Sequence, residues 1–454
     1  MFAMLAGKIR KAHIPVIKNQ LFKHICNSLL SFHAEHSVDL KLQQQLGTVR
    51  ILFERGFAAT CVKKLEKIKS LSLRQERFSI YQEAAAIQRK LLSKQHEFLL
   101  SIKEERKVLN KGLTVLQYTE YDRLLFEEQA KYRNRKAPRY RASIENLIKK
   151  IPPIASAVSS SFQTRHAYLR CRYWHAHAGI YDNHAELILE AAKDIMNLFE
   201  ENPDYQLSFP REYVAAFSRY LVALSNFPAK EDPIVIFDRL TNFVEKENPM
   251  SSIRSKVKPT MDAIMFLTHY AIMHMNYDIA LKRMEYIEQK IKQYEKQTAD
   301  NILVSIRYNL VIIYFNLENF NMCLKWLNPI LNYRKTNFLS DLFRSCQILN
   351  LIIHFELKNY ELIEYKLKSV YKLFAVDRNL SLLETSLLNF IKTIIKPDMS
   401  KSLQFQFTAF DKEIRRILKN PQERKTLFEF DILSWIRSRI EKKSIIKVMR
   451  ENKN

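Results

Sequence analysis

The stretch NLENFNMCLKWL, residues 316–327, has a counterpart in ELKNYELIEYKL at 356–367 and a shorter one in HMNYDIALKRM at 274–284. In each case a helical pattern of apolar residues ends, an asparagine and an aromatic residue follow, and a second helical pattern begins. Self-similarity at a period of about 20–50 residues is typical of stacked arrays, because one helical hairpin cannot bury both of its faces alone. The three phrases therefore predict a helical-repeat architecture.

The repeat has an irregular period. Its aromatic residues Tyr277, Phe320 and Tyr360 are separated by 43 and 40 residues. The chain has only 5 glycines, against an average usage of about 7%, and β turns depend on that residue. We therefore predict an all-α chain, an α–α superhelix or solenoid of stacked antiparallel hairpins with repeats of about 40 residues. Three positions after each aromatic residue, a small or medium-sized side chain is expected to pack inside the hairpin: Ala280, Cys323 and Ile363.

In the stretch YNLVIIYFNLENFNMCLKWLNPIL (308–331), Leu310, Tyr314 and Phe320 are followed by the small Cys323. These residues fall where the tetratricopeptide repeat (TPR) keeps a leucine, two aromatic residues and an alanine, so the stretch resembles that repeat. The resemblance implies a TPR-like array that binds a partner in a concave groove lined mainly by the first helix of each hairpin.

The stretch also departs from the TPR pattern. Val311 and Glu318 stand where that repeat usually has glycine. The period exceeds the usual repeat of about 34 residues, which implies longer helices or loops. Pro329 lies inside the second helical pattern and is expected to kink that helix or end it early.

Several segments together resemble an uncharacterised bacterial family of helical-repeat proteins. Members of that family carry another helical segment before the piece that matches Lys18–Asn19, so the resemblance implies a short or truncated start. The motifs concern packing, so the resemblance implies no activity. The matching pieces are KNQLFKHICNSLLSFH (18–33), ILFERGF (51–57), the hairpins from 166 to 370, and FEFDILSWIRSRIEKKS (428–444).

The net charge of +25 is spread unevenly. Residues 1–150 carry 30 basic and 14 acidic side chains, whereas residues 151–250 carry 9 and 13. We divide the chain into a basic N-terminal helical region with long helices (1–150), a TPR-like helical-repeat solenoid (151–400) and basic C-terminal capping helices (401–454). Basic regions permit an anionic partner but do not require one, because solvated helix faces are often rich in lysine.

Two further segments follow the helical-hairpin pattern. The N-terminal region contains one TPR-like hairpin, ILFERGFAATCVKKLEKIK (51–69), with Gly56 at its turn and Cys61 at the small position. In the C-terminal region, LFEFDILSWIRSRIEKKSIIKVM (427–449) reads as one amphipathic helix. We expect that helix to cover the last repeat.

The five cysteines are scattered and never occur in CxxC spacing, which favours a reducing cytoplasm over an oxidising compartment. The first residues lack the apolar core of a secretory signal. No stretch of about 18 apolar residues occurs, so we expect no membrane span.

The densest basic run is KYRNRKAPRYR, residues 131–141. It could neutralise phosphates and stack its two tyrosines on bases, or it could be a solvated connector between long helices, which Pro138 favours. As a candidate patch for an anionic partner it comprises Lys131, Arg133, Arg135, Lys136, Arg139 and Arg141.

A histidine-rich stretch at 166–184 can be interpreted as a metal site. Cys171 and His175 are spaced to share one helical face, which can ligate a metal. His175 and His177 point in different directions on a helix, and no HExxH or CxxC pattern accompanies them. We therefore expect structural histidines and no metal site.

No catalytic motif was found. The sequence has no phosphate-binding loop, no GxGxxG and no GxSxG. Paired glutamates such as Glu104–Glu105 lie in helical, charged contexts and read as solvated faces. We therefore expect no enzyme, no catalytic residues and no cofactor.

The favoured hypothesis is a non-enzymatic scaffold or adaptor that binds a peptide or protein on the concave face of the solenoid. The alternatives are a nucleic-acid-associated adaptor that uses the basic N-terminal third, and an enzyme with a cryptic site. A groove of this kind suits an amphipathic helix or an extended peptide. In the first helix of the best-matching repeat, the groove would be lined by Tyr308, Asn309, Ile312 and Phe315, unless these side chains form the core between repeats.

Overall fold

The computed structural model describes most of the 454 residues. The described ranges are 14–34, 37–92, 95–131, 138–153, 161–178, 185–225, 227, 232–247, 253–332, 340–376, 381–396, 402–420, 423 and 430–453. Within these ranges the regular structure is helical and no strand occurs. The prediction of an all-α chain is therefore confirmed for the described residues.

The chain forms two compact units, which span residues 1–223 with 247–251 and residues 224–246 with 252–454. This division follows packing and does not coincide with the changes in charge from which three regions were predicted. The described part of unit 1 contains ten helices: α1 (Ile14–Ala34), α2 (Val38–Glu54), α3 (Ala58–Arg74), α4 (Phe78–Arg89), α5 (Gln95–Lys131), α6 (Pro138–Lys150), α7 (Phe162–Ala178), α8 (Ala185–Glu200), α9 (Pro203–Ser208) and α10 (Pro210–Leu224), of which the last residue falls in unit 2.

Unit 2 contains the three predicted hairpins. Its helices are α11 (Pro233–Asn242), continued by a π-helical turn (Phe243–Glu247), α12 (Ile253–Met273), α13 (Asp278–Leu281), α14 (Met284–Tyr294), α15 (Asp300–Asn316), α16 (Phe320–Leu331), α17 (Ser340–Glu356), α18 (Tyr360–Val376), α19 (Leu382–Ile394), α20 (Leu403–Ile417), α21 (Ile432–Glu441) and α22 (Ile445–Lys453).

Helices pack mainly against their neighbours in sequence within each unit. In unit 1, α2 contacts α3, α3 contacts α4, and α4 contacts α5, which also packs against α6 and α7. In unit 2, α15 contacts α12 and α16, and α17 contacts α16, α18 and α19. Many helices packed in succession are compatible with a helical-repeat protein, since each unit of such an array shares its core with the next.

The first hairpin of unit 1 shows how the apolar pattern of the sequence produces a buried core. Apolar residues recur at helical spacing, so each helix buries one face. The shared core consists of Leu42, Leu46 and Val49 of α2, Cys61, Leu65 and Ile68 of α3, and Ile80 and Ala84 of α4. The thiol of Cys61 lies 3.7 Å from the carbonyl oxygen of Val49.

Cys323 occupies the same place in unit 2. Its thiol lies 3.6 Å from the carbonyl oxygen of Val311, again twelve residues earlier in the chain. The small positions predicted from the sequence, Ala280, Cys323 and Ile363, are all fully buried. Their role in hairpin packing is therefore confirmed.

One turn recurs between the paired helices. At Glu318, the amide donates to the carbonyl of Phe315, and the amide of the next residue, Asn319, donates to the carbonyl of Tyr314. This pair of bonds is the Schellman C-cap, which needs a residue in the left-handed conformation. The same two bonds form at Gly56, Glu76, Met275 and Lys358.

Only one of these five turns uses glycine at the left-handed position. Gly56 has a φ of 80°, whereas Glu76, Met275, Glu318 and Lys358 have φ values between 49° and 60°. A side chain in this conformation is disfavoured by roughly 1–2 kcal/mol because its Cβ approaches the following carbonyl. The expected TPR glycine at 318 is thus replaced by glutamate without a change in the turn.

Replacing Lys358 with glycine is expected to raise the free energy of unfolding by about 0.5–1 kcal/mol, because the gain from unstrained backbone exceeds the added entropy of the unfolded chain. The measurement is urea unfolding of the variant and the parent. The control is Lys372→Gly, at an exposed lysine within α18, where glycine should lower stability by about 1 kcal/mol. Equal losses in the two variants would show that Lys358 is not strained.

Two helix boundaries bear on the predictions from sequence. Helix α16 continues through Pro329 and ends two residues later, at Leu331. The single C-terminal helix predicted at 427–449 is wrong, because α21 ends at Glu441 and α22 begins at Ile445. Lys442 between them takes the left-handed conformation, with φ 54° and ψ 38°, and this reverses the helical backbone.

Helix α11 begins with a side-chain cap and a proline. Asp232 is its N-cap, with a side-chain oxygen 2.9 Å from the amide of Ile234, and Pro233 takes the first helical position. Aspartate satisfies a free amide at a helix start, and proline has no amide to satisfy.

Candidate binding groove

The four residues predicted to line a concave groove are buried in the core of unit 2. Tyr308, Asn309, Ile312 and Phe315 are 0–6% exposed. The side-chain amide of Asn309 donates to the hydroxyl of Thr268 at 3.1 Å. Their geometry supports packing between helices, which was the alternative from the sequence, and partner binding by these four stays a prediction.

The basic run at 131–141 is only partly described. Lys131 ends α5, is exposed and lies 3.2 Å from a carboxylate oxygen of Glu128. Arg139 is exposed on α6, whereas Tyr140 beside it is buried and cannot stack on a base in this structure. Arg133, Arg135 and Lys136 lie outside the described residues, as does the side chain of Arg141.

Residues 166–178 of the histidine-rich stretch lie in α7, and residues 179–184, with His184, lie outside the described residues. The Cys171 thiol donates to the carbonyl of Tyr118 at 3.3 Å, and burial raises its pKa to about 12. His166 is buried against Phe199, and burial lowers its pKa to about 3, with help from the positive charges of Arg170 and Arg219. Across the described ranges, no group of three or more His, Cys, Asp or Glu side chains is placed to hold a metal ion.

A groove of about 1120 Å³ lies within unit 1. We call it the leucine groove, because one wall is a ridge of α5 formed by Leu109, Leu113 and Leu116. The facing elements are the start of α2 at Val38 and the α9–α10 junction at Leu207. Its lining also includes residues of α4 and Gln163 of α7, so five separate segments of the chain build it.

The leucine ridge is apolar surface that the chain leaves in solvent. Leu109 is 47% exposed, Leu113 52% and Leu116 66%. Their spacing of four and three residues places them on one face of α5, since a helix turns every 3.6 residues. Leu207 opposite is also exposed. Contiguous exposed apolar surface within a groove marks an interaction site rather than a packing surface.

Helices α4 and α5 meet beside the ridge, at Gly112. A Cβ atom built on Gly112 of α5 would lie 3.5 Å from the Cβ of Phe78, the first residue of α4. This is an ordinary van der Waals distance, so an alanine would also fit between the two helices.

One end of the groove is fixed by the turn between α3 and α4. The guanidinium of Arg77 pairs with Asp39 and donates to the carbonyl of Ser208 at 3.0 Å. It also lies 4.0 Å from the ring centre of Phe209, a cation–π contact. Arg77 therefore ties α2 to the α9–α10 junction.

Glu76, in the same turn, caps helix α7. Its carboxylate accepts from the amides of Phe162 and Gln163, each at 2.7 Å, and from the hydroxyl of Ser161 at 3.0 Å. The first amides of a helix lack partners within the helix, and a carboxylate there also opposes the positive end of the helix dipole. The side-chain amide of Gln163 in turn donates to the backbone carbonyl of Glu76 at 2.7 Å. The groove is therefore rigid at this end.

Sequence reasoning missed this groove. The local signal was present in Leu109, Leu113 and Leu116, which form an apolar stripe on a helix that is mostly polar. A stripe of this kind usually faces a core, so the pattern alone does not indicate that it faces solvent.

Comparisons of the chain with protein-family models, with curated proteins and with solved structures found no match. Within the described residues, no helix combines the length and the apolar character that a membrane crossing needs.

Proposed function

We propose that this protein is a non-enzymatic interaction scaffold of the TPR-like solenoid type, and that its leucine groove holds an amphipathic helix of a protein partner. The observation that supports the proposal is the exposed ridge of Leu109, Leu113 and Leu116 inside a preformed groove. Helix-in-groove recognition uses apolar anchors at this spacing.

The dimensions of the groove favour a helix over a small molecule. Sites for small ligands enclose about 300–1,000 Å³ and bury most of the ligand, whereas this groove is larger and stays lined by half-exposed leucines. A partner helix can pack its own apolar residues between the three leucines, as ridges fit grooves between packed helices.

Polar groups border the ridge and would fix the register of the partner. Gln43 and Gln82 line the groove beside α2 and α4, and Arg211 and Glu212 line it at the start of α10. A rim of this kind around an apolar centre is the usual anatomy of an interface.

The test is a peptide-display selection against the purified protein. Enriched peptides are expected to share apolar residues at spacings of three and four. Leu113→Glu and Leu116→Glu should each weaken their binding at least tenfold, because each removes apolar contact worth about 1 kcal/mol or more and places a charge in the interface. Both side chains are exposed, so both variants should fold.

The matched control is Leu99→Glu, on the same helix and 58% exposed but outside the groove lining. That variant should bind the selected peptides as the parent does. A selection without such a pattern, or peptides indifferent to Leu113→Glu, would contradict the proposal.

The alternative, a nucleic-acid-associated adaptor, has its support in the charge of the N-terminal third. Lys131 and Arg139 are the exposed members of the predicted patch within the described residues. The burial of Tyr140 removes one of the two tyrosines proposed to stack on bases. The leucine groove is the better supported surface, and nucleic-acid binding stays a prediction.

A further inference from the structure

A second, smaller cavity lies in unit 2, with a volume of about 260 Å³. We call it the basic pocket, because Lys358, Arg439 and Lys442 line it. Tyr360 and Leu403, which are 42% and 44% exposed, add apolar surface to its lining, together with the carboxylate of Glu356. It belongs to the other unit and shares no residue with the leucine groove.

Arg439 is held in place by two glutamates. Its Nε donates to Glu356 Oε1 at 2.9 Å, and its Nη2 donates to Glu318 Oε1 at 2.8 Å. The indole of Trp435 donates to the same oxygen of Glu356 at 2.6 Å. Among the described residues, no acceptor is bonded to Nη1 of Arg439, so that nitrogen is left for a ligand.

The two lysines occupy strained backbone positions. Lys358 and Lys442 have φ values of 60° and 54°, where glycine would be unstrained. Both side chains are exposed, and neither makes an ion pair within the described part of the chain. Glycine would adopt these turns with less strain. The lysines add a positive charge that the turns themselves do not require.

The charge and the lining define the ligand. Lys358, Arg439 and Lys442 carry three positive charges, and Glu318 and Glu356 carry two negative charges, so one positive charge is left over. A single carboxylate neutralises that charge, whereas a doubly charged phosphate would leave the site negative. Tyr360 and Leu403 offer apolar contact to the body of the same molecule.

We infer that the basic pocket binds the carboxylate of an apolar organic acid, with Lys358, Arg439 and Lys442 contacting the carboxylate and Tyr360 and Leu403 packing against the apolar part. The C-terminal residue of a peptide and a free aryl or alkyl acid both have this chemistry. The proposal is independent of the leucine groove, and its failure would leave that proposal intact.

The chain offers a built-in reporter. It has three tryptophans, and the indole N–H of Trp435 is bonded to Glu356 at the pocket. With ¹⁵N-labelled tryptophan, the three indole signals can be assigned through Trp174→Phe and Trp326→Phe. Titration with the peptide Ala-Ala-Phe should move the Trp435 signal saturably and leave the other two unmoved. The amidated peptide, which lacks the carboxylate, should bind at least tenfold more weakly.

The variants are Lys358→Gly and Lys442→Gly, which remove a charge and relieve the backbone, so they should fold at least as well as the parent. Each is expected to weaken binding of Ala-Ala-Phe at least fivefold, and the double variant should abolish it. The control pair, Lys368→Ala with Lys372→Ala, removes two exposed lysines of α18 outside the pocket lining and should leave binding unchanged.

Phenylacetate, titrated in parallel, separates the two sources of the carboxylate. Binding as tight as that of the peptide would assign the pocket to small organic acids, and weaker binding would assign it to peptide C-termini. The inference is overturned if neither probe moves the Trp435 signal, if the amidated peptide binds equally well, or if the double variant binds like the parent.

Discussion

Replacing Glu76 with alanine is expected to lower the free energy of unfolding of unit 1 by about 3 kcal/mol. The change leaves the buried amide of Phe162 and the half-buried amide of Gln163 without their acceptor. An unsatisfied buried donor costs about 1–3 kcal/mol. The loss would be measured by hydrogen exchange of the α7 amides in increasing urea, which reports the opening of this unit separately from unit 2.

A second substitution at the same position separates the cap from the backbone strain. Glu76→Gly loses the same hydrogen bonds but relieves a φ of 52°, so it should be about 1 kcal/mol more stable than Glu76→Ala. The control is Glu66→Ala, at an exposed glutamate of α3, with little expected change. If Glu76→Ala remained within 0.5 kcal/mol of the parent, the cap would contribute nothing measurable.

The protein is expected to lose stability below pH 6.5 because of one buried histidine. His166 is 6% exposed, and burial together with Arg170 and Arg219 lowers its pKa to about 3. The unfolded chain binds a proton at this side chain below about pH 6.5, whereas the folded chain does not. The contribution of His166 is therefore complete above pH 6.5 and is lost progressively as the pH falls toward 3.

His166→Phe should remove this dependence. The ring lies between Phe162 and Phe199, and its Nε2 has no hydrogen-bond partner among the described residues, so phenylalanine suits the site. Between pH 7 and pH 4.5, the variant should gain about 2–3 kcal/mol relative to the parent. Urea unfolding at both pH values measures the difference.

The control for this prediction is His96→Gln, which removes an exposed histidine of α5 and should leave the pH dependence as it is in the parent. An unchanged slope in His166→Phe would mean that the imidazole of His166 is protonated in the folded protein. Carboxyl groups also titrate in this pH range. The prediction therefore concerns only the difference in the free energy of unfolding between the variant and the parent.

The hairpin turns could be predicted because their signals are local. An apolar pattern ends, an Asn–aromatic pair follows, and a small residue comes three positions later, as at Phe320 and Cys323. Each signal concerns hydrogen bonds and packing within one hairpin. The left-handed conformation at Glu318 and Lys358 was not predicted, because nothing in the sequence of these residues favours it over a right-handed one.

The assignment of faces could not be predicted in the same way. Tyr308 and Phe315 were placed in a groove and are buried, whereas Leu113 and Leu116 lie on an apolar stripe that is exposed. An apolar residue at helical spacing looks the same in sequence whether it meets another helix of the chain or solvent. Which of the two occurs depends on the neighbours that the fold supplies.

The sequence by itself determined the helical class of this protein, the positions of its hairpin turns and the residues that pack inside each hairpin, because these depend on interactions over a few residues. Only the tertiary structure decided the two cavities. The leucine groove joins residues from Ser37 to Glu212, and the basic pocket joins Phe355 to Lys442. Such surfaces form where side chains from distant parts of the sequence pack together. A local sequence pattern does not contain the information about which distant residues meet.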